Sequence, residues 1–255
     1  MELAYGHPKS LLPIQTKYCP GCGHGVIHRL IAEVIDEMGV QAKSIIMNPV
    51  GCSIWADLYF DFDSVQVPHG RTPAGATGVK RMMPDHLVIC YQGDGDLAAI
   101  GTAEAVHAAN RGEKFTTIFV NNAIYGMTGG QMAPTTLIGQ HATTAPYGRD
   151  AESGMGYPIR VLEMLATLGG TKYLARGAVN NTVNTRKTKQ YIKKAFEAQM
   201  RGEGFTMVEI LSQCPTNWGM DPVESVKWLE SDMIPFYKLG VVKDELSTTV
   251  QEAAK

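Results

Sequence analysis

A strand–loop–helix–strand unit in the middle of the chain constrains the fold most strongly. An apolar run over residues 86–91 is followed by the loop QGDGD, a helical pattern over 98–110 and a second apolar run over 115–120. Two such strands joined by a crossover helix are expected to pair in parallel, with a right-handed connection. The unit therefore predicts an α/β fold built on a mostly parallel sheet.

The rest of the chain continues the alternation of helices and strands. Further helices are predicted over 26–38, 79–83, 159–168 and 187–201, and further strands over 44–47, 173–178 and 206–211. Residues 1–18 are interpreted as an irregular arm. The stretch 125–156 is long for a loop in a compact domain, and such loops are often functional. We expect one domain over 1–255, with helices on both faces of the sheet.

Composition excludes several classes of partner and compartment. The formal net charge is −2 and the isoelectric point is about 6.4, so we expect no binding to nucleic acid. No apolar run approaches the roughly 20 residues that span a bilayer, and no signal-peptide pattern is visible. We therefore expect a cytoplasmic protein without membrane contact. Five cysteines, an odd number, argue against a disulfide framework in that compartment.

The loop after the first strand of the central unit predicts a diphosphate site. Ligands of parallel sheets bind at the carboxyl ends of the strands, and the next helix begins there with free N–H groups. Gly95 allows close backbone approach, and Asp94 is interpreted as a ligand of Mg²⁺. Asn122 follows the neighbouring strand and can meet the same ion, with the Ile124 carbonyl as a third ligand. NAD and ATP are disfavoured because neither GxGxxG nor GxxxxGK[ST] is present.

Four of the cysteines lie in loops and suit a metal site. Cys19 and Cys22 form a CxxC loop, whereas Cys52 and Cys214 follow apolar runs beside glycine or proline. Four thiolates fit either a tetrahedral zinc or a [4Fe–4S] cluster, and spacing does not separate these. Cys90 lies inside a strand pattern and is predicted to be a buried apolar residue.

The order of several motifs resembles a known family. YCPGCGH, GCS, HGRTPAGATG, YQGDGD, NNAIYGMTGGQMAPTT and QCPTNW are similar to the thiamine-diphosphate-binding β subunit of 2-oxoacid:ferredoxin oxidoreductases. The resemblance implies a thiamine-diphosphate-binding fold over 1–255, with a cluster-binding N-terminal arm and a C-terminal extension. It differs at Asn121, where family members often have Asp.

The resemblance also implies the site residues. A [4Fe–4S] cluster would be held by Cys19, Cys22, Cys52 and Cys214. Mg²⁺ would be held by Asp94, Asn122 and the Ile124 carbonyl. Thiamine diphosphate would be lined by Val50, Gly51, Cys52, Ser53, His69, Gly95, Asp96, Gly126 and Met127.

The implied reaction is oxidative decarboxylation of a 2-oxoacid to acyl-coenzyme A and CO₂, with electrons passing through the cluster to ferredoxin. The implied partners are an α subunit, which would supply the activating glutamate, and γ and ferredoxin-like δ subunits. A branched-chain substrate such as 2-oxoisovalerate is favoured, with 2-oxoglutarate or pyruvate as alternatives. Other readings are a non-oxidative thiamine carboligase with zinc at the cysteines, and a non-catalytic electron-transfer subunit.

Overall fold

A computed structural model describes residues 6–247, so the ends of the predicted arm and domain, at 1–5 and 248–255, lie outside it. A seven-stranded sheet forms its centre, in the order β2-β1-β3-β4-β6-β5-β7. The strands are β1 Ser44–Asn48, β2 Asp63–Gln66, β3 Leu87–Gly93, β4 Thr116–Asn121, β5 Thr171–Ala178, β6 Phe205–Leu211 and β7 Gly240–Asp244. All pairings are parallel except that of β7 with β5 at one edge. The predicted mostly parallel sheet is therefore confirmed.

Helices cover both faces of this sheet. They are α1 His24–Met38, α2 Thr72–Met82, α3 Thr102–Arg111, α4 Val161–Ala166, α5 Thr182–Met200, α6 Pro215–Trp218, α7 Pro222–Trp228 and α8 Ile234–Phe236. On one face α1 and α5 bury residues such as Ile31 and Phe196, and on the other α2, α3 and α4 bury residues such as Ala108 and Leu162. The central strands are apolar on both sides because each face packs against helices.

The region before β3 differs from its prediction. The structure has strand β2 at 63–66 and begins α2 at Thr72, seven residues before the predicted start at 79. Pro73 and Gly75 resemble loop residues in the sequence, yet proline is tolerated in a first helical turn. A Cβ at Gly75 would lie 3.0 Å from the Val67 side chain, so this glycine permits close packing of the helix.

Other boundaries also moved. A wide helical turn over Asp96–Ile100 precedes α3, whereas the sequence predicted one helix from 98. The helix predicted from 187 begins at Thr182, where Asn181 caps it by accepting a hydrogen bond from the Asn184 N–H. Helices α6, α7 and α8 and strand β7 were not predicted, because their short segments lack a clear periodic pattern. Within residues 6–247, no helix combines the length and apolarity needed to cross a bilayer.

Candidate functional site

The carboxyl ends of β1, β3 and β4 converge on a cavity of about 200 Å³. All residues that the sequence assigned to thiamine diphosphate or Mg²⁺ line it: Val50, Gly51, Cys52, Ser53, His69, Asp94, Gly95, Asp96, Asn122, Ile124, Gly126 and Met127. Several further lining residues were missed: His24, Gly93, Ile100, Val120, Tyr125 and Thr128. His24 could have been found, since it directly extends the CPGCG motif, whereas the loop residues carry no distinctive pattern.

Asp94 follows β3 and presents a buried carboxylate to the cavity. It accepts hydrogen bonds from the Gly95 N–H at 2.8 Å, the Ile124 N–H at 3.1 Å and the Thr135 hydroxyl at 2.7 Å. Burial raises the pKa of Asp94 to about 7, although these neutral donors oppose the shift. No lysine or arginine is among the described residues that line the cavity. A buried carboxylate in this setting is the type of ligand that a divalent cation requires.

Asn122 lies beside Asp94 because both contact one backbone N–H. The Ile124 N–H is 3.1 Å from Asp94 Oδ2 and 3.3 Å from Asn122 Oδ1. The intervening Ala123 has a left-handed backbone with φ of 56°, which is uncommon for a residue other than glycine. Its N–H donates to Asn121 Oδ1 at 3.0 Å, and this hydrogen bond supports the turn. Oxygen atoms from the ends of two strands therefore lie close to one backbone N–H, and carboxylate and amide oxygens are ligands that suit Mg²⁺.

Asp96 lines the cavity, but its oxygens are engaged by protein groups. Oδ1 contacts His69 Nδ1 at 2.6 Å and accepts the Gly70 N–H at 2.5 Å, while Oδ2 accepts the Gln92 amide at 2.6 Å. The carboxylate therefore ties the loop that contains His69 to the end of β3. This arrangement indicates that Asp96 shapes the cavity wall.

The absence of a side chain at Gly95 leaves space for the Tyr125 ring. A Cβ at this position would lie 2.3 Å from Cε1 of Tyr125. The backbone of Gly95 is right-handed, so its conformation does not require glycine. From the sequence, Gly95 was interpreted as leaving space for a ligand. In the structure the Tyr125 ring occupies the space beside Gly95.

The four loop cysteines are close enough for each to affect the pKa of another. Burial raises the pKa of Cys22 to about 12, and the neighbouring Cys214, Cys52 and Cys19 contribute in the same direction. Burial and the nearby Cys214 and Cys19 likewise raise the pKa of Cys52 to about 12. Cys90 instead is fully buried in β3 within the apolar layer under α2 and α3, which confirms its predicted place.

The cysteines do not converge as ligands of a single ion would. Within residues 6–247, no three His, Cys, Asp or Glu side chains are close enough to hold a metal ion between them.

Gly126 lies between Cys52 and the part of the cavity that Asn122 lines. A Cβ at Gly126 would be 3.1 Å from Cys52 Sγ, 3.6 Å from Asn122 Nδ2 and 3.8 Å from Asn217 Nδ2. Cys52 itself lines the cavity. Cys52 therefore connects the two halves of the site, which are the four cysteines and the Asp94–Asn122 oxygens.

Comparison with known proteins places this arrangement in a class. A family model described as "Thiamine pyrophosphate enzyme, C-terminal TPP binding domain" matches residues 50–210; thiamine pyrophosphate is another name for thiamine diphosphate. The chain belongs to the thiamine pyrophosphate enzymes, and within them to the group of VorA- and KorB-type oxidoreductase β subunits. The resemblance seen in the motifs is therefore confirmed.

Individual relatives support this placement. Ketoisovalerate oxidoreductase subunit VorA of Methanothermobacter marburgensis is 47% identical over 237 residues, which cover 93% of this chain and 49% of that protein. The chain thus spans about half the length of the VorA relatives it matches. The 2-oxoglutarate synthase subunit KorB of Methanocaldococcus jannaschii is 37% identical over 234 residues, covering 89% of this chain and 82% of that protein.

A solved structure confirms the predicted fold. It is the 2-oxoglutarate:ferredoxin oxidoreductase from Magnetococcus marinus, with 2-oxoglutarate, coenzyme A and succinyl-CoA bound. The TM-score is 0.80 at 28% identity, and the match covers 99% of this chain and 89% of the other.

Proposed function

We propose that this chain is the thiamine-diphosphate-binding β subunit of a 2-oxoacid:ferredoxin oxidoreductase. The enzyme would convert a 2-oxoacid and coenzyme A to acyl-coenzyme A and CO₂, and two electrons would pass to ferredoxin. One observation carries the proposal: the buried Asp94 carboxylate at the carboxyl end of β3 lines the same cavity as Cys52, which belongs to a group of four neighbouring cysteines. An anchored diphosphate beside a redox centre suits oxidative chemistry.

The oxygen half of the site would hold Mg²⁺ and the diphosphate. Asp94 and Asn122 would supply side-chain oxygens and Ile124 its carbonyl. The cation would neutralise the buried Asp94 carboxylate, whose hydrogen-bond partners within residues 6–247 are neutral. Val50, Gly51, Cys52, Ser53, His69, Gly95, Asp96, Gly126 and Met127 would form the walls around the cofactor. When bound, thiamine diphosphate supplies the electron sink for decarboxylation.

The thiol half would hold a [4Fe–4S] cluster through Cys19, Cys22, Cys52 and Cys214. Burial opposes the thiolate form of Cys22 and Cys52, and bound iron would reverse that effect because it stabilises the anion. A [4Fe–4S] cluster is ligated by four thiolates, one on each iron, which is the number that these four cysteines supply. Such a cluster accepts electrons one at a time and can deliver them to an external ferredoxin.

The apolar wall that this chain contributes to the cavity suits a branched-chain 2-oxoacid better than 2-oxoglutarate. Its described residues include the partly exposed apolar side chains of Val50, Ile100 and Met127, and no lysine or arginine. A second substrate carboxylate would need a cation here to offset its desolvation. The higher identity to VorA than to KorB supports the same choice, with 2-oxoisovalerate as the preferred acid.

A partner subunit would complete the site. No glutamate lines the described cavity, Asp94 is assigned to the metal, and Asp96 is engaged with His69. The carboxylate that activates the cofactor would therefore come from an α subunit. Further γ and ferredoxin-like δ subunits would complete the enzyme.

Steady-state assays of the purified multi-subunit enzyme test this function. Under anaerobic conditions, ferredoxin reduction and acyl-coenzyme A formation are followed with 2-oxoisovalerate, 2-oxoglutarate and pyruvate. We expect coenzyme A-dependent reduction of ferredoxin, with kcat/KM at least about tenfold higher for 2-oxoisovalerate. CO₂ release without ferredoxin reduction would contradict the oxidative function, and full activity of the isolated chain would contradict the need for an α subunit. A preference for 2-oxoglutarate would overturn only the substrate assignment.

A further inference from the structure

The short helix α6 contacts both halves of the site. It begins immediately after Cys214, and its Asn217 amide donates to the Gly126 carbonyl at 2.9 Å. The same Nδ2 lies 3.3 Å from Cys214 Sγ. The next residue, Trp218, donates its indole N–H to the Asn122 carbonyl at 3.0 Å. One segment therefore joins a proposed cluster ligand to the loop that contains a proposed magnesium ligand.

The Asn217 amide can serve both acceptors at once. A primary amide carries two N–H donors, so one can point to the Gly126 carbonyl and the other to the sulfur. The assigned orientation is the one that satisfies both contacts, because the amide oxygen could donate to neither. The backbone N–H of Asn217 also faces this sulfur, and both donors oppose the burial that raises the pKa of Cys214.

We propose that Asn217 is a positioning residue that sets the reduction potential of the cluster and holds the Gly126 loop against it. This inference rests on the proposed function, in which Cys214 is a cluster ligand. A hydrogen bond to a ligating sulfur withdraws electron density, so it stabilises the reduced cluster, which carries the additional negative charge. Loss of the amide donor should therefore lower the reduction potential.

A purely structural role for Asn217 makes a different prediction. Its side chain also packs near glycine backbone, since a Cβ at Gly130 would lie 3.4 Å from Asn217 Cβ. If packing alone were its role, truncation would loosen the loop and leave the potential unchanged. The reduction potential of the cluster therefore distinguishes a hydrogen-bonding role of Asn217 from a role in packing alone.

Redox titration of the holoenzyme, followed by electron paramagnetic resonance, provides the test. The variants are Asn217→Leu, which keeps a similar volume without a donor, and Asn217→Asp, which replaces the donor with a carboxylate. Thr216→Ala is the matched control, because Thr216 is an exposed residue of the same helix. Hydrogen exchange of residues 122–130, measured by mass spectrometry in the same samples, reports on the loop.

We expect both Asn217 variants to lower the cluster midpoint, with a roughly tenfold change in the reduced-to-oxidised ratio, equivalent to about 59 mV for one electron. We also expect faster exchange over 122–130, whereas Thr216→Ala should change neither quantity. Midpoints equal to that of Thr216→Ala would overturn the inference, even if exchange became faster. If Asn217→Leu failed to retain iron, the midpoint of Asn217→Asp would decide. Absence of a cluster from the wild-type enzyme would instead refute the proposed function.

Discussion

The Asn121 amide donates a 2.7 Å hydrogen bond to the Glu209 carboxylate, and both side chains are fully buried on the adjacent strands β4 and β6. The other oxygen of Glu209 accepts from Arg176 Nε at 2.7 Å. Asn121 also supports the left-handed turn at Ala123, whose N–H donates to Asn121 Oδ1. The first asparagine of the NN motif is therefore structural, whereas the second faces the cavity.

Asn121→Asp tests this division of roles. The new carboxylate would face that of Glu209 and lose the only donor that Asn121 offers it, so we expect a loss of about 1–3 kcal/mol in unfolding free energy at neutral pH. Denaturant unfolding of the isolated chain measures this, with the exposed Asn110→Asp as the control. Equal stability of the two variants would show that the motif tolerates aspartate here without penalty.

Arg149 holds together the backbone of the loop over residues 125–156, part of which lines the cavity. It is buried and donates to the backbone carbonyls of Ala133, Pro134, Thr136, Met155, Gly156 and Tyr157. The segment it fixes contains Thr135, whose hydroxyl contacts Asp94. Arg149→Met should lower the unfolding free energy by about 3 kcal/mol, because several carbonyls lose a charged donor.

Arg149→Met should also weaken magnesium-dependent binding of thiamine diphosphate. Arg149→Lys should show smaller losses of unfolding free energy and of cofactor affinity than Arg149→Met, but should not reach the wild type, since lysine lacks the planar guanidinium group. Calorimetric titration and guanidinium unfolding measure the two effects. Arg186→Met, at an exposed position of α5, is the control. Cofactor affinity of Arg149→Met equal to that of the control would refute the link to the cavity.

Protonation of His28 should make the free energy of unfolding depend on pH. Burial, followed by the neighbouring His24, holds the pKa of His28 well below 6.5 in the folded chain. The unfolded chain therefore binds a proton below pH 6.5 that the folded chain does not, so the unfolding free energy falls as pH decreases from 6.5. This group contributes a slope of at most about 1.4 kcal/mol per pH unit.

His28→Phe should make that acid decline shallower, because phenylalanine can keep ring contacts with Tyr59, Phe60 and Tyr91 but cannot titrate. Urea unfolding of both chains between pH 7 and about pH 5 gives the two slopes. Identical slopes would show that His28 does not set the acid sensitivity.

The sequence was most informative where helical patterns alternate with apolar strand runs and where motif residues directly follow a strand. The apolar runs at 86–91 and 115–120 predicted the central parallel strands, observed at 87–93 and 116–121, and their order along the chain brought Asp94 and Asn122 to one edge. Strand β2 was missed because it is short and its residues are exposed, so it has no apolar pattern. The start of α2 was missed because Pro73 and two glycines resemble a loop.

Contacts between distant loops could not be predicted. Tyr125 lies over Gly95, and Asn217 reaches Gly126 across 91 positions of sequence. Arg149 has no local signature, since its partners are backbone carbonyls whose positions depend on the folded loop. Such contacts depend on tertiary packing, whereas periodicity and turn chemistry report only on local structure.

Quantitative analysis of iron, sulfide and bound thiamine diphosphate in anaerobically purified enzyme tests the central claim most directly. We predict about four irons per chain together with one thiamine diphosphate in the wild type. Asp94→Ala should lose the cofactor and keep the iron, and Cys214→Ser should lose or degrade the cluster and keep the cofactor. Zinc in place of iron, or normal cofactor binding by Asp94→Ala, would contradict the account.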